Sequence, residues 1–333
     1  MVSSFPQAEG RLAQRVCAPI ALNRINLSFF THVAADHQVL CTAAPLGEAA
    51  FTLIRSQAEA ETAAVHFHPR TAIISVYPHD KRPEVIGNFI RSLARARVML
   101  HGLASSPSAI SAVMAAKKEQ TVVRQLFADF DFPAFGSPEE FFAAQSPPEE
   151  LVRKVVADYQ EKVIKVYWIV PQPDLDLWGM AISSTGILAG FADALLELGS
   201  LGLKIPFLVA IPARESKDFL LSFSAVSPQT LEERGPQIRR VLQKHLPDLK
   251  PMRLTPVAGI FLHGPHFGDR YGIAQVLVQC LEKAHVRLLA LSCTISSISL
   301  IIRQQELAAA QLVLGNTFAS PVEVPRASSG SRS

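Results

Sequence analysis

The chain has 333 residues, of which 49% are hydrophobic and 18% are charged, and its formal net charge is +3. This composition supports a packed core and argues against an intrinsically disordered protein. The small net charge and the lack of a dense lysine or arginine run predict no nucleic-acid partner. The length suggests two domains or several small ones.

The four cysteines, Cys17, Cys41, Cys280 and Cys293, are far apart and form no Cys-x-x-Cys pair, so we expect reduced thiols. The first residues lack the basic and apolar parts of a signal peptide. Charged residues and a proline interrupt the longest apolar region, 187–211, which therefore does not read as a membrane span. We predict a soluble, cytoplasmic protein without membrane contact.

Residues 1–60 are predicted to form an incomplete first α/β segment. Pro19 is expected to disturb the end of its first helix. Because only nine residues precede Gly10, its opening strand is doubtful: the segment is truncated, or another part of the chain supplies that strand. The pattern predicts a helix, two strands and a helix at residues 12–20, 25–30, 39–41 and 47–55.

Residues 61–132 form a clearer second segment. Pro83 follows a polar loop that begins at Tyr77, and it suits the first turn of a helix. The predicted order is strand, helix, strand, strand, helix, at residues 71–76, 84–95, 98–103, 109–114 and 119–130. Residues 133–160 are rich in proline and predict a linker with one short helix.

Residues 161–250 are the predicted third segment, and the run Pro171–Asp174 is expected to break its first strand. The predicted order is strand, helix, strand, strand, helix, at residues 163–170, 186–198, 203–211, 219–226 and 231–245. Residues 251–319 are the predicted fourth segment. It has the same order of strand, helix, strand, strand, helix, at residues 257–262, 273–284, 286–293, 296–302 and 306–318. Residues 320–333 predict a flexible tail.

The second and fourth segments are related by an internal repeat. Ile110 and Ile298 are 298 − 110 = 188 residues apart, and the same offset relates Leu93 to Leu281. No gap is needed from there to the end of the fourth segment's last helix, where Phe318 matches Phe130. A repeat of this kind indicates duplicated structural modules.

The loop of the fourth segment carries the most specific motif. Gly264–Ile273 reads Gly-Pro-x-Phe-Gly-Asp-x-x-Gly-Ile, and the runs Cys280–Val286 and Leu291–Leu300 continue it. The second segment carries related runs at 93–98 and 104–111 in the same register. Together these motifs resemble the tandem regulatory ACT modules of aspartokinases. The resemblance covers most of the chain and is weakest in the first segment.

The resemblance implies an α+β fold of tandem ferredoxin-like (βαββαβ) ACT modules, with paired antiparallel sheets and helices on one face. Nothing before residue 70 resembles the Lys-Phe-Gly-Gly-Thr-type segment of the kinase domain, and no Walker-type loop occurs. We therefore predict no catalytic residues and no enzyme activity. The animal cytosolic arginine sensors have a similar arrangement of four such modules, without a close sequence match.

The resemblance also implies that a free amino acid binds where two modules pair. Glycines let backbone N–H groups approach a carboxylate, and a helix N-terminus favours the anion. The implied ligand-binding residues are Gly264, Phe267, Gly268, Asp269, Gly272, Ile273, Ser292, Thr294 and Ser297, with Asp269 holding the ammonium group. The alternative is a tight turn with an N-cap and no ligand.

The second segment departs from this motif because Lys81, Arg82 and Pro83 replace Asp269, Arg270 and Tyr271. It is therefore either a structural partner or a site for an anionic ligand. Elsewhere, the pairs His66/His68 and His263/His266 have no cysteine or carboxylate at ligand spacing, so neither a metal nor a cofactor is predicted. Ser105–Ser108 predicts a turn. Trp168 and Trp178 are expected in the core.

Four functions remain open from the sequence. The leading one is a non-catalytic amino-acid sensor, alone or as a homodimer. The others are a detached regulatory subunit with an aspartokinase as catalytic partner, an interaction scaffold without ligand, and an enzyme working alone.

Overall fold

A computed structural model describes the backbone of most of the chain. The described residues are 2–6, 17–34, 37–44, 64–144, 164, 166–182, 185–212, 219–264, 270–294 and 297–318. Within these ranges, side chains are described except at 2–6, 37–40, 64–65 and 185–187. The predicted helix at 47–55 and the tail at 320–333 lie outside the described residues.

The strands belong to one large antiparallel sheet of thirteen strands, with the order β4-β1-β3-β2-β12-β13-β11-β8-β10-β9-β6-β7-β5. The strands are β1 Val2–Pro6, β2 Phe29–Ala34, β3 His37–Ala43, β4 Ala64–His66, β5 Thr71–Val76, β6 Leu100–Ser105, β7 Ile110–Ala115, β8 Trp168–Ile182, β9 Lys204–Pro212, β10 Phe219–Val226, β11 Met252–His263, β12 Leu288–Cys293 and β13 Ser297–Arg303. Together with the helices given next, this sheet confirms the prediction of a fold that contains both helices and antiparallel strands.

The helices of the described residues are α1 Ala18–Leu22, α2 Pro83–Arg95, α3 Glu119–Asp129, α4 Pro138–Ala144, α5 Thr185–Ser200, α6 Leu231–His245, α7 Ile273–Lys283 and α8 Leu307–Thr317. None of them is long and apolar enough to cross a membrane. Pro19 is the second residue of α1. Most of the helix predicted at residues 12–20 lies outside the described residues.

Local sequence explains the best-defined helices. In α2, Ile86, Phe89, Ile90 and Leu93 recur every three to four residues and are all buried, and each contributes about 1.5–3 kcal/mol through burial. Thr230 is the N-cap of α6: its hydroxyl accepts from Glu233 N, and the Glu233 carboxylate accepts from Thr230 N. Such a capping box satisfies two backbone donors that a helix start leaves free.

The offset of 188 residues also relates the elements of the second and fourth segments. Leu100–Ser105 (β6) and Leu288–Cys293 (β12) are 288 − 100 = 188 residues apart. Glu119–Asp129 (α3) and Leu307–Thr317 (α8) have the same offset, 307 − 119 = 188. The two segments therefore form the same elements at matching positions.

The opening strand that the sequence left doubtful in the first segment is present. Val2–Pro6 forms β1, which pairs with β3 on one side and with β4 on the other. Five residues are enough for this strand, so no other part of the chain has to supply it. The prediction missed it because so few residues precede the first helical pattern.

The long strands β8 and β11 pair with each other across the middle of the sheet. Residues 168–172 of β8 pair with the C-terminal half of β11, and residues 177–179 pair with its N-terminal half. The opening strand of the third segment, predicted at 163–170, is therefore the later part of β8, which runs to Ile182 and pairs with β10.

The expected break at Pro171–Asp174 is wrong, because β8 runs through both prolines without interruption. Pro171 lies opposite Ile260 of β11, and β10 pairs only with residues 176–182 of β8. Along its first half, β8 is thus an edge with one neighbour, and a proline is tolerated in an edge strand because its missing N–H removes no hydrogen bond there.

Helices cover one face of the sheet. On the other face, strands from the two halves of the sheet pack against each other. Two cores contain residues of both helices and strands, whereas a third contains only residues of strands or of their ends, among them Phe29, Val33, Phe207 and Val209. In this third core the Cys41 Sγ donates to His101 O at 3.2 Å. The sheet therefore folds back so that its two halves meet face to face.

A buried charge cluster joins the two halves where β8 and β11 cross. Asp176, which is fully buried, accepts from Arg234 at 3.3 Å and from Arg253 at 2.9 Å. Arg234 also donates to Asp174 O at 2.8 Å, and Arg253 donates to Leu231 O. Two guanidinium groups thus compensate one buried carboxylate, which would otherwise be costly to remove from water.

Candidate functional site

Besides the pairing of β8 with β11 and of β1 with β4, two further antiparallel strand pairs join different segments. In the first–fourth interface, β2 pairs with β12, with Thr31 opposite Ser292. In the second–third interface, β6 pairs with β9, with Ala104 opposite Val209. These two interfaces are where the sequence predicts ligand binding.

The first–fourth interface contains a small pocket with a cavity volume of about 10 Å³, which is room for about one water molecule. Its lining from the first segment is apolar and comprises Cys17, Ile20, Ala21, Ile25, Leu27 and Phe30. The fourth segment contributes Arg270, Gly272 and the first turn of α7, together with Cys293 at the end of β12. This volume is far below the range for small-molecule sites, so the pocket as it stands is closed to an amino acid.

The start of α7 forms the polar wall of this pocket. Gly272 is the N-cap and has a left-handed backbone with a φ of 83°, which glycine adopts without strain. Its carbonyl accepts from Val276 N at 3.0 Å, whereas Ile273 and Ala274 begin the helix and line the pocket. The first N–H groups of a helix have no helical partner and favour an anion.

The two cysteines of the pocket are apolar in character. Burial raises the pKa of Cys17 far above its ordinary value, and the Glu282 carboxylate adds to this effect. Burial also raises the pKa of Cys293 to about 12. Both side chains therefore remain neutral thiols, which behave as small hydrophobic groups rather than as nucleophiles.

The structure brings two of the predicted ligand-binding residues, Gly272 and Ile273, into the pocket. Gly264 lies at the start of the loop, while Phe267, Gly268 and Asp269 lie outside the described residues.

The predicted polar residues of β12 and β13 do not line this pocket. Ser292 is next to Cys293 in the strand and so faces the opposite side of the sheet, where its hydroxyl is buried without a hydrogen-bond partner. Thr294 and Ser297 are buried in the turn between β12 and β13, with their hydroxyl oxygens 3.3 Å apart. Thr294 N donates to Ser297 O at 3.0 Å, which gives these two residues a local role in the turn.

The corresponding loop of the second segment is held by its own hydrogen bonds. His79, fully buried, donates its backbone N–H to Ser108 O at 2.9 Å, and its Nδ1 accepts from Lys81 N at 3.0 Å. Lys81 O accepts from Ile205 N of the neighbouring segment at 2.8 Å. The pKa of Lys81 is lowered, first by burial and then by Lys204.

Helices α2 and α5 pack closely at the second–third interface. A Cβ on Gly87 would lie 2.9 Å from Ala192 O and 3.3 Å from the Leu195 side chain, so a larger residue does not fit there. Arg91 donates to Asp193 at 2.5 Å across the same contact. At an offset of 275 − 87 = 188, the residue of α7 that matches Gly87 is Gln275, which lines the pocket.

Sequence reasoning missed most of the pocket. Cys17, Ile20 and Phe30 come from the segment with the weakest resemblance, so no motif pointed to them. Arg270 lies inside the motif but at one of its variable positions. Their shared position depends on the pairing of β2 with β12, which joins residues more than two hundred positions apart.

Several other expectations have clear outcomes. Trp178 is fully buried, as expected, but Trp168 is 52% exposed and stacks on His263 at 5.0 Å. His68 stacks on His101 at 4.1 Å. Ser106 accepts from Ala109 N at 3.2 Å and so closes the predicted turn. Among the described residues, no group of three or more His, Cys, Asp or Glu side chains could hold a metal ion.

No protein-family model and no curated protein matches this sequence. Among solved structures, the fold is similar to an aspartate kinase from Synechocystis, with 13% identity and a TM-score of 0.71 over 98% of this chain and 56% of that chain. The regulatory subunit of aspartate kinase from Thermus thermophilus matches 46% of this chain and 99% of its own, with 14% identity and a TM-score of 0.40. Nearly all of this chain therefore folds like just over half of an aspartate kinase.

Proposed function

We propose that this protein is a non-catalytic regulatory protein of four ACT-type modules, which binds a free amino acid at the first–fourth interface. The observation that carries this proposal is the helix start at Gly272, which faces the first segment at this interface and ends the loop that resembles an ACT ligand loop. The small pocket beside it would have to widen to admit an amino acid. The similarity to an aspartate kinase fold supports a regulatory role.

The arrangement suits an amino acid because it offers different environments for the two ends of the ligand. Arg270 and the first N–H groups of α7 lie where a carboxylate would be stabilised. Asp269, the predicted partner of the ammonium group, is the neighbour of Arg270 in the sequence. Because the pocket has walls from two segments, a bound ligand favours one packing of these segments over another, which is the basis of a regulatory signal.

The proposal is tested by a thermal-shift screen of the protein against all twenty amino acids. A ligand at one hundred times its dissociation constant stabilises the folded state by about 2.7 kcal/mol. We expect one amino acid or a small chemical group of them to raise the melting temperature, and Asp269→Ala and Arg270→Ala to abolish the shift. Arg82→Ala, which changes the matching exposed position of the second segment, is the control and should retain it.

A second candidate is a regulatory subunit that acts on a separate aspartokinase chain. The observation that favours it is the coverage, since 98% of this chain matches part of an aspartate kinase. Co-purification with a kinase-like chain, and a change of its activity on adding this protein, would support this candidate. A monodisperse protein that binds an amino acid and no kinase chain would favour the sensor instead.

A further inference from the structure

A second cavity, which we call the α6 cleft, lies away from the first–fourth interface. Residues 172–174 of β8 form one wall, just before the point where β10 begins to pair with β8. The end of β10 and the start of α6 form the other wall. The cavity volume of about 710 Å³ is within the range of small-molecule sites. This cleft therefore has room for a ligand without any movement of its walls.

The buried side of the α6 cleft contains a guanidinium group with an unused donor. Arg234 lines the cleft and is only 3% exposed. Its Nε donates to Asp176 at 3.3 Å and its Nη2 donates to Asp174 O at 2.8 Å, whereas its Nη1 has no hydrogen-bond partner among the described residues. A guanidinium group carries five N–H donors in one plane, and a carboxylate is the acceptor that suits it best.

This guanidinium group is fixed before any ligand binds. Asp176 also accepts from Arg253 at 2.9 Å, and Arg253 donates to Leu231 O in the first turn of α6. The cluster therefore holds Arg234 and the helix start in one arrangement, so that binding carries little cost of ordering them. Because two guanidinium groups face one carboxylate, the cluster keeps one positive charge in excess. The buried side of the cleft thus favours an anionic group.

The exposed side of the α6 cleft is acidic. Asp174 and Glu232 line it, and both are exposed. The side chain of Asp174 is held by Gln304, whose Nε2 donates to Asp174 Oδ1 at 2.9 Å. Two carboxylates at the rim favour a cationic group. Uncharged amide groups, those of Gln172 and Gln229, also line the cleft. The lining therefore suits a ligand with an anionic end, a cationic end and polar groups between them.

From this arrangement we propose that the α6 cleft binds a short peptide with free ends, of about two or three residues. Its C-terminal carboxylate accepts from Arg234 Nη1, and its N-terminal ammonium group lies at the rim beside Asp174 and Glu232. The amide groups of Gln172 and Gln229 form hydrogen bonds with the peptide bonds. This site goes beyond the proposed function and does not depend on it, since the α6 cleft shares no lining residue with the first–fourth pocket.

Isothermal titration calorimetry with trialanine and two blocked analogues tests the ligand class. Trialanine amide lacks the carboxylate, and we expect it to bind on the order of tenfold or more weakly, because a hydrogen bond to a buried charged group is lost. N-acetyltrialanine lacks the ammonium group and should bind about two- to fivefold more weakly, since exposed charges are screened. No binding of trialanine at millimolar concentration, or equal binding of all three peptides, would overturn the proposal.

A blocking variant tests the place of binding. Gln229→Trp puts a large side chain at the exposed residue before the N-cap of α6, a position where an apolar residue is compatible with the helix. We expect it to abolish trialanine binding. Gln243→Trp on an exposed position of the same helix is the matched control and should retain binding. Equal affinity of these two variants for trialanine would overturn the assignment of the cleft.

A charge variant tests the orientation of the peptide. In the double variant Asp174→Asn/Glu232→Gln, both rim charges are removed. Asparagine still offers an oxygen to Gln304 and tolerates the left-handed φ of 57° at this position. The variant should lose the preference for trialanine over N-acetyltrialanine and keep the preference over trialanine amide. An unchanged preference over both analogues would mean that the ammonium group does not lie at this rim.

Failure of this proposal and failure of the proposed function give different results. Asp269→Ala and Arg270→Ala should leave trialanine binding unchanged, although both abolish the thermal shift by a free amino acid. Trialanine binding that is lost in Asp269→Ala and retained in Gln229→Trp would place the peptide at the first–fourth interface and overturn the second site. A screen in which no free amino acid binds would contradict the proposed function alone.

Discussion

The two side-by-side interfaces of this molecule share a strand arrangement and differ in what lies above the strands. At the second–third interface, α2 and α5 pack so closely that Gly87 has no room for a side chain. At the first–fourth interface, Gln275 occupies the matching position of α7 and lines a small pocket of about 10 Å³ that faces α1. The same sheet architecture thus has tightly packed helices at one interface and a small pocket at the other.

This difference indicates how a duplicated fold can acquire one binding site rather than two. In the second segment, His79 and Lys81 hold the loop by backbone hydrogen bonds, and Pro83 begins the helix. In the fourth segment, the matching helix begins after a left-handed glycine, Gly272. This contrast supports our proposal that the first–fourth interface binds the ligand and that the second–third interface has a structural role.

The largest expected effect concerns the buried charge cluster that joins the third and fourth segments. Asp176→Leu leaves two guanidinium groups without their carboxylate, and we expect a loss of about 3–5 kcal/mol in the free energy of unfolding. Denaturant unfolding measures it. The double variant Asp176→Leu/Arg234→Met should be less destabilised than Asp176→Leu alone, and strict additivity would contradict the account.

A residue exchange tests the tightly packed interface directly. Gly87→Gln places the fourth segment's residue between α2 and α5, where even a Cβ lies 2.9 Å from a carbonyl oxygen. We expect destabilisation of about 1–3 kcal/mol from overpacking. The reciprocal variant, Gln275→Gly, should cost only about 1 kcal/mol, the usual cost of glycine in a helix. Equal effects in the two variants would mean that the interfaces do not differ in packing.

The backbone at the start of α7 gives a smaller effect. Gly272→Ala should destabilise the protein by about 1–2 kcal/mol, because alanine disfavours the left-handed conformation at a φ of 83°. Space is not the cause as far as the described residues go, since their nearest atom to the new Cβ, Ala21 Cβ, is 3.9 Å away. Gly315→Ala in α8 is the control and should stabilise by about 0.5–1 kcal/mol, as determined by thermal unfolding.

Buried histidines make the stability of the protein depend on pH, and His32 is the one in the first segment. Burial lowers the pKa of His32 from 6.5 to about 4, and both ring nitrogens lack hydrogen-bond partners. Between these values the unfolded chain binds the proton more readily, so the stability present above pH 6.5 falls as the pH drops toward 4. We expect a loss of about 1 kcal/mol between pH 7 and pH 5.5 from this group.

His32→Leu should flatten that part of the stability profile, measured by denaturant titration at each pH. His101 lies in the second segment, and its pKa is also lowered to about 4, first by burial and then by His68. It therefore contributes its own share of the loss of stability at low pH, which the His32 variant should retain. An unchanged profile in the His32 variant would show that this histidine is already protonated, or solvated, in the folded protein.

The sequence predicts the local elements well and the long-range pairings poorly. The bounds of β5, β10 and α6 agree with the patterns of apolar residues, because such patterns reflect each element's own buried face. No local pattern reveals that β8 and β11 cross the middle of the sheet, or that prolines are tolerated because one side of β8 is an edge.

The same limit applies to the candidate site. The glycine-rich loop that ends at Gly272 is visible as a motif, so half of the pocket follows from the sequence and the family resemblance. The other half, with Ile20 and Phe30, depends on which segment pairs with the fourth. That pairing depends on contacts between distant parts of the chain, which composition and periodicity do not predict.

The most direct test of the account is hydrogen exchange with and without a saturating amino acid chosen by the thermal-shift screen. The account predicts that the ligand slows exchange at α1, at the first turn of α7 and at the end of β12. It predicts no comparable change at α2, α5 or the loop around His79. Protection that appears at the second–third interface, and not at the first–fourth interface, would contradict the assignment of the first–fourth interface as the binding site.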